Sequence, residues 1–268
     1  MSPSFSILHE DSACLVVSKP AGLLTQAPLG IDSLEVQVKR YLAEHGGQQG
    51  DVYLGVPHRI DRPVSGVLVL AKDRKAARRI SQQFERRQVE KTYWALVEGN
   101  VQPDEGTWTD HLKKVYGKPR SQVVEASDPL GQIAILHYKV LESTSAIKPE
   151  AQAKETADLP MDRFPSLTLQ ACGPLAERAD YVSLLEIRLE TGRTHQIRIQ
   201  CASRGHILLG DELYGSQRPF GPPSDDERMR FIALHARSLK FRHPVTKETV
   251  TALAPLPEYW KEAGVSGY

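Results

Sequence analysis

The sequence predicts an α+β fold: a mixed, mostly antiparallel sheet with flanking helices and loops. Three observations carry this. Short segments rich in β-branched and aromatic residues recur along the 268-residue chain, each bounded by turn formers. Apolar residues fall at helical spacing in only a few stretches. Most connections between the strand-like segments read as hairpins, which gives a sheet protein with few helices rather than a βαβ alternation.

Phe5 to Asp11 and Cys14 to Lys19 read as two short strands around an acidic turn, and Lys19-Pro20-Ala21-Gly22 breaks the second. From Asp32 to His45, Leu34, Val38, Tyr41 and Leu42 recur at helical spacing, and Gly46-Gly47 closes that helix. Val67 to Ala71 is an apolar strand. Asp73 follows as the N-cap of a helix to about Arg87, with Ala76, Ala77, Ile80 and Phe84 on its buried face. Lys91 to Gly99 is a strand stopped by Gly, and Trp108 to Val124 a hairpin turning at Tyr116-Gly117-Lys118-Pro119.

Ile133 to Leu141 and Tyr181 to Leu189 are the next strands. The polar, Pro-containing stretch between them, 143–180, is longer than a compact domain ordinarily tolerates as a loop and is read as an insertion. Thr194 to Arg204 is a helix ended by Gly205, and His206 to Gly215 a short strand and turn. A Pro-rich charged loop, 216–230, leads to the final strands, Ala233 to Phe241 and Glu248 to Leu253. No internal repeat or long linker divides the chain.

Composition narrows the function classes. The chain is 40% hydrophobic and 25% charged, ordinary for a globular protein, and has no apolar run long enough to span a membrane. Its N-terminal stretch, with Glu10 and Asp11, does not read as a signal peptide. Three cysteines without C-x-x-C spacing argue against a disulfide framework or a zinc site and fit a reducing, cytoplasmic setting. The spacings of His58, His195, His206 and His235 fit no standard metal site. A net charge of +1 gives no global basic excess, although 72–91 holds eight Lys or Arg against three acids. Such a run is a solvated helix face or a phosphate-binding patch, and composition does not choose.

The chain is organised around His58-Arg59-Ile60-Asp61-Arg62-Pro63-Val64-Ser65-Gly66, immediately before the apolar strand. Asp61 therefore sits in a turn between two arginines, anchored to a buried strand. Flanking cations favour the charged form of a carboxylate. A partly shielded, ionised Asp suits nucleophilic or acid–base work. On these residues alone, a structural ion pair tying down the loop is slightly favoured.

His58 to Asp73 resembles the catalytic-loop motif of RluA-type RNA pseudouridine synthases, H-R-[LI]-D-R-x-[TS]-S-G followed by an apolar strand and A-K. Val64 stands where that family usually has Thr or Ser. Four further stretches resemble the same family in order. They are Lys19 to Leu23 (K-P-A-G-L), Lys91 to Ala95 (K-x-Y-x-A), Glu190 to Arg198 (T-G-R-T-H-Q-I-R) with 205–215 after it, and Leu234-His235-Ala236 with Phe241 to Pro244. Several motifs in order, with matching strand and helix context, are far more specific than one.

The resemblance implies the pseudouridine synthase catalytic fold over 1–268 as a single catalytic domain, interrupted at 143–180 and 216–230 and without an extra N-terminal RNA-binding module. It implies isomerisation of specific uridines in structured RNA, ribosomal or transfer, by an Asp-dependent route needing no cofactor and no metal. The enzyme is expected to be a cytoplasmic monomer. Asp61 would act as nucleophile or as base on the sugar, with Arg198 paired to it. Tyr93 would stack on the base and help remove its C5 proton. Ile197 and Leu234 would wall the ring, and Arg59 would fill the space the flipped base leaves. His58, Arg62 and Arg193 complete the substrate-binding set, and basic residues of 72–91, together with Arg193 and Lys19, would meet phosphates.

Taken singly, Tyr93 reads as core, Arg198 as surface charge and Arg59 as a salt-bridge partner. Two other classes compete: a non-catalytic RNA-binding protein or chaperone on the same scaffold, and an Asp-dependent hydrolase. A glycosidase pairs two carboxylates, and Asp211 is the nearest candidate for the second.

Overall fold

The computed structural model describes residues 4–45, 52–145 and 181–265. At its centre lies β3 (Ser65–Ala71), buried along its whole length. A continuous apolar run is what a strand covered on both faces requires. On one side β3 pairs antiparallel with β2 (Cys14–Lys19), which pairs with β1 (Ser6–Glu10). On the other it pairs in parallel with β9 (Leu234–Arg242). The sheet continues through β4 (Glu90–Glu98), β8 (Tyr181–Leu189), β7 (Gln132–Ser145), β5 (Glu105–Lys114) and β6 (Ser121–Val124), all antiparallel. β10 (Thr249–Leu253) pairs with β9. The expected mixed, mostly antiparallel sheet is thus ten-stranded among the described residues.

The parallel junction positions the site. It consists of Ser65 opposite His235 and Gly66 opposite Ala236. Gly66 has φ +123°, and a Cβ there would stand 2.3 Å from the Ala236 carbonyl oxygen. Only glycine permits both that backbone conformation and that approach. The turn carrying Asp61 is thereby held against the start of β9, where Leu234 sits. A second irregularity lies between β4 and β9, where the register shifts between Thr92 and Tyr93 and leaves Arg237 as the extra residue. Bulges re-aim neighbouring side chains, and here the neighbour is Tyr93.

Helices cover the sheet where their apolar spacing requires. α1 (Leu34–His45) buries Leu34, Val38 and Leu42. α2 (Arg74–Glu85) buries Ala76 and Ile80, and its N-cap is Asp73, whose Oδ1 accepts the Lys75 and Ala76 N–H groups at 2.8 Å each. A cap of this kind is worth roughly 1 kcal/mol. α3 (Gln196–Ala202) is shorter than the stretch expected, because His195 before it adopts a left-handed φ of 55°. α4 (Glu258–Glu262) carries the fully buried Trp260 and is too short for periodicity to announce it.

Three expectations change. The stretch 206–215 is a loop in which only Leu208 bridges to a strand (Val97), followed by a single 3₁₀ turn at Glu212–Tyr214. β7 runs on to Ser145, pairing Ser143 with Ser183, so the first residues of the expected insertion are strand. Residues 146–180, like Gly46-Gly47, lie outside the described residues. The 216–230 loop contains a 3₁₀ turn at Glu227–Met229 and buries Phe220. No helix among the described residues is long and apolar enough to cross a membrane.

Candidate active site

The loop before β3 is fastened by its backbone. The Asp61 carbonyl accepts the Val64 N–H at 3.1 Å, and the Arg62 carbonyl accepts the Gly22 N–H at 2.8 Å. The Thr25 hydroxyl donates to the Ile60 carbonyl at 2.8 Å. Lys19 is fully buried beneath this loop, and its Nζ donates to the carbonyls of Pro20 (2.8 Å), Leu23 (2.7 Å) and Arg62 (3.4 Å). Burial pushes its pKa down to about 7, with the Asp61 charge opposing. A lysine so enclosed cannot meet a phosphate, which corrects that expectation: it ties the K-P-A-G turn to the catalytic-type loop.

Above this base, Arg198 of α3 reaches Asp61 across 137 residues of sequence, with Nη1 3.2 Å from Oδ2. The remainder of its guanidinium is held by Asp211, Nε to Oδ2 and Nη2 to Oδ1, both at 2.7 Å. Side-chain exposure separates the two carboxylates: 37% for Asp61 against 1% for Asp211, with Arg198 at 6%. Burial alone would lower the Arg198 pKa. The bonds and charge of Asp211, then the charge of Asp61, overcome this and push it up. Asp211 is thus a buried anion that fixes the orientation of the arginine.

His195 lies in the same knot. Its Nε2 is 3.2 Å from Arg198 Nη1 and 3.5 Å from Asp61 Oδ2, and its Nδ1 is 3.1 Å from the Tyr214 hydroxyl. Burial, and then the Arg198 charge, lower its pKa against the opposing pull of Asp61 and Asp211. This favours the neutral form of the ring. In the sequence His195 stands only as part of the T-G-R-T-H-Q-I-R match and as one of four histidines without metal spacing; its place beside Arg198 comes with a left-handed φ of 55°.

Asp61, Arg198, Tyr93, Ile197 and Leu234 all line one cleft of about 330 Å³, together with Val64, Phe84 and Leu189. Burial, reinforced by the negative charge of Asp61, raises the Tyr93 pKa, so its phenol stays protonated. One ion-paired carboxylate thus lines a cleft that combines apolar walls with several cationic side chains and a protonated tyrosine.

Residues 13–203 match the family described as RNA pseudouridylate synthase. The chain belongs to that family. It is 32% identical to tRNA pseudouridine synthase C of Yersinia pestis, over 95% of this chain and 88% of that protein. It is 29% identical to ribosomal large subunit pseudouridine synthase C of Vibrio vulnificus, over 94% of this chain and 66% of that one. Among solved structures, human RNA pseudouridylate synthase domain containing 4 shares the fold, with TM-score 0.68 and 22% identity over 96% and 91% of the two chains. Membership in the RNA pseudouridylate synthase family makes this protein an isomerase by class.

Within this synthase cleft the remaining expected residues divide. Arg59 and Arg193 line it, with the Arg193 Nε anchored on the Ile133 carbonyl at 3.0 Å. His58 also lines it, but its Nε2 accepts the Val69 N–H at 3.0 Å and its ring stacks on Phe84 at 4.4 Å. Burial, and then the nearby Lys91 charge, push its pKa down to about 3. His58 is accordingly a neutral wall that props the loop. Arg62 is not part of the cleft lining. Neither Arg59 nor Arg62 forms an ion pair with Asp61 among the described residues; its arginine partner is Arg198, as the motif resemblance implied and the adjacent residues alone did not.

The basic stretch 72–91 is also partly spoken for. Lys72 pairs with Glu10 at 2.9 Å, Arg87 with Glu190 at 3.4 Å, and Arg79 donates to the Pro244 carbonyl at 2.7 Å. Metal-type ligand atoms gather at His9, Asp11 and Cys14, on β1 and β2. There, Asp11 Oδ1 accepts the Ala13 and Cys14 N–H groups (2.7 and 2.8 Å) and Oδ2 meets His9 Nε2 at 3.0 Å. His243 Nδ1 accepts the Val245 and Thr246 N–H groups at 3.3 and 3.0 Å, so its ring proton sits on Nε2, 2.8 Å from the same Asp11 oxygen. That proton excludes His243 Nε2 as a ligand, and the knot fastens a turn.

Proposed function

We propose that this synthase isomerises specific uridines in ribosomal or transfer RNA, with Asp61 as the reacting carboxylate. The observation that carries the reading is the arrangement of Asp61 at the cleft: one oxygen on Arg198, whose other edge is gripped by Asp211. The similarity to a transfer-RNA and to a ribosomal-RNA synthase supports both substrate classes.

The reaction breaks the bond between the sugar C1′ and the base N1, forms one between C1′ and C5, releases the C5 proton and returns one proton to N1, so the composition is unchanged. Electrons and phosphate energy are neither consumed nor produced. Asp61 either attacks C1′ or removes a sugar proton to let the base go. Val64, Ile197 and Leu234 hold the detached ring while it turns. Tyr93 stacks on it and assists loss of the C5 proton as a relay: its oxygen takes that proton while its own passes to solvent water, leaving the phenol protonated as before. Arg59, exposed at the cleft mouth, takes the place of the flipped base in the RNA.

The test is tritium release from bulk transfer and ribosomal RNA labelled at uridine C5, comparing wild type with Asp61→Asn. Release by wild type alone is the expected result. Retained RNA binding with no release would favour the non-catalytic reading, and a freed base would favour hydrolysis.

A further inference from the structure

Lys91 opens the K-x-Y-x-A strand motif and closes the basic stretch 72–91, for which only a general phosphate-binding role was expected. It lines the cleft on β4, two residues before Tyr93 and so on the same face of the strand. Its ammonium is partly buried and, among the described residues, forms no hydrogen bond or ion pair. Its charged neighbour is another cation, Arg87, and burial first, then Arg87, lower its pKa. No carboxylate offsets these effects; Arg87 itself pairs with Glu190 at 3.4 Å, which also meets His137 at 3.6 Å. His58, the other titratable group affected by Lys91, is neutral.

A partly desolvated cation without an anion is costly in the free protein and is stabilised when an anion arrives. The neighbourhood suits one. Gly192 presents bare backbone, with Lys91 Nζ 3.7 Å from where its Cβ would stand, and Arg193 follows it along the cleft. Residues i and i+2 of a strand are about 6.7 Å apart, comparable to the reach from a nucleobase to a phosphate of its own backbone.

We propose that Lys91, with Gly192 and Arg193, forms the binding site for the phosphodiester adjoining the uridine that enters the cleft. This rests on the isomerase reading and adds the anchor that seats the nucleotide beside Tyr93. Lysine acts here as a point charge, so arginine should substitute for it in part.

The experiment compares wild type, Lys91→Gln, Lys91→Met and Lys91→Arg, using fluorescently labelled bulk transfer RNA for binding and C5-tritiated transfer and ribosomal RNA for turnover. Expected for the Gln and Met variants are a rise in apparent KM several-fold larger than any fall in kcat, and a log Kd against log salt slope reduced by about one. Lys91→Arg should recover most of both. Thermal stability of Lys91→Met should equal or exceed that of wild type, since an unpaired charge is removed. A salt slope and KM unchanged in the Gln variant, or a marked loss of thermal stability with RNA binding intact, would overturn the assignment. Absence of tritium release by wild type would instead remove the isomerase reading, leaving the salt slopes to decide the phosphate contact separately.

Discussion

Asp211 grips Arg198 through two parallel 2.7 Å hydrogen bonds, and that fork leaves only Nη1 to meet Asp61, at 3.2 Å. The buried anion decides how the arginine is presented, and the exposed one receives what is left. Asp211→Asn should therefore act first on stability. Removing one partner of a buried ion pair costs about 3–5 kcal/mol, measurable as a lower urea midpoint. An Asp211→Asn protein as stable as wild type would contradict the pairing.

The partially exposed carboxylate should behave oppositely. Asp61→Asn removes a pair open to solvent on one side, so its stability cost should stay within about 1 kcal/mol. Tritium release should fall below detection while RNA affinity changes less than about threefold. Turnover near the wild-type rate would exclude Asp61 as the reacting group.

The contrast between these two aspartates marks what the sequence could tell. The local patterns behaved as local physics requires: the Asp73 cap, the apolar run of β3 and the hairpin turning between Lys114 and Ser121 all formed where their residues indicated. The grouping of Asp61, Tyr93 and Arg198 in one cleft was legible through the motif resemblance. Partners brought together by the fold were not. Asp211 looked like a spare acid because its bond to Arg198 depends on a loop folding back over α3, and 206–215 carries no strand register to foretell it. Arg59 and Arg62 looked like charges for Asp61 by adjacency alone, whereas the Arg198 partner was legible only through the motif resemblance. Likewise Lys19, polar and beside a turn, gave no sign that it would be enclosed by three carbonyls.

Gly66 tests whether the parallel junction places the loop. In Gly66→Ala the left-handed region costs about 1–3 kcal/mol, and the new Cβ would collide with the Ala236 backbone. β3 and β9 must separate, carrying Asp61 away from Leu234. The expected outcome is a fall in thermal stability together with a loss of turnover larger than that of a surface Gly117→Ala control, whose Cβ meets nothing within 4 Å. Equal behaviour of the two variants would show that the junction does not set the site.

Acid sensitivity follows from two histidines, half-buried His58 at the cleft and buried His235. Burial, with Lys91 adding to it, pushes the His58 pKa down to about 3, and burial pushes that of His235 down to about 4. Unfolded, each returns to about 6.5. Between these values the unfolded chain binds more protons than the folded one, so stability rises with pH across that window and is lost as pH falls from about 6.5. Each ring contributes a slope of up to about 1.4 kcal/mol per pH unit. In His58→Gln the amide oxygen can still accept the Val69 N–H, while the titration is gone. Urea unfolding at pH 7, 6 and 5 should give this variant a shallower loss of stability than wild type. Parallel losses in the two proteins would mean that His58 protonates freely in the folded state and is not the neutral prop of the loop.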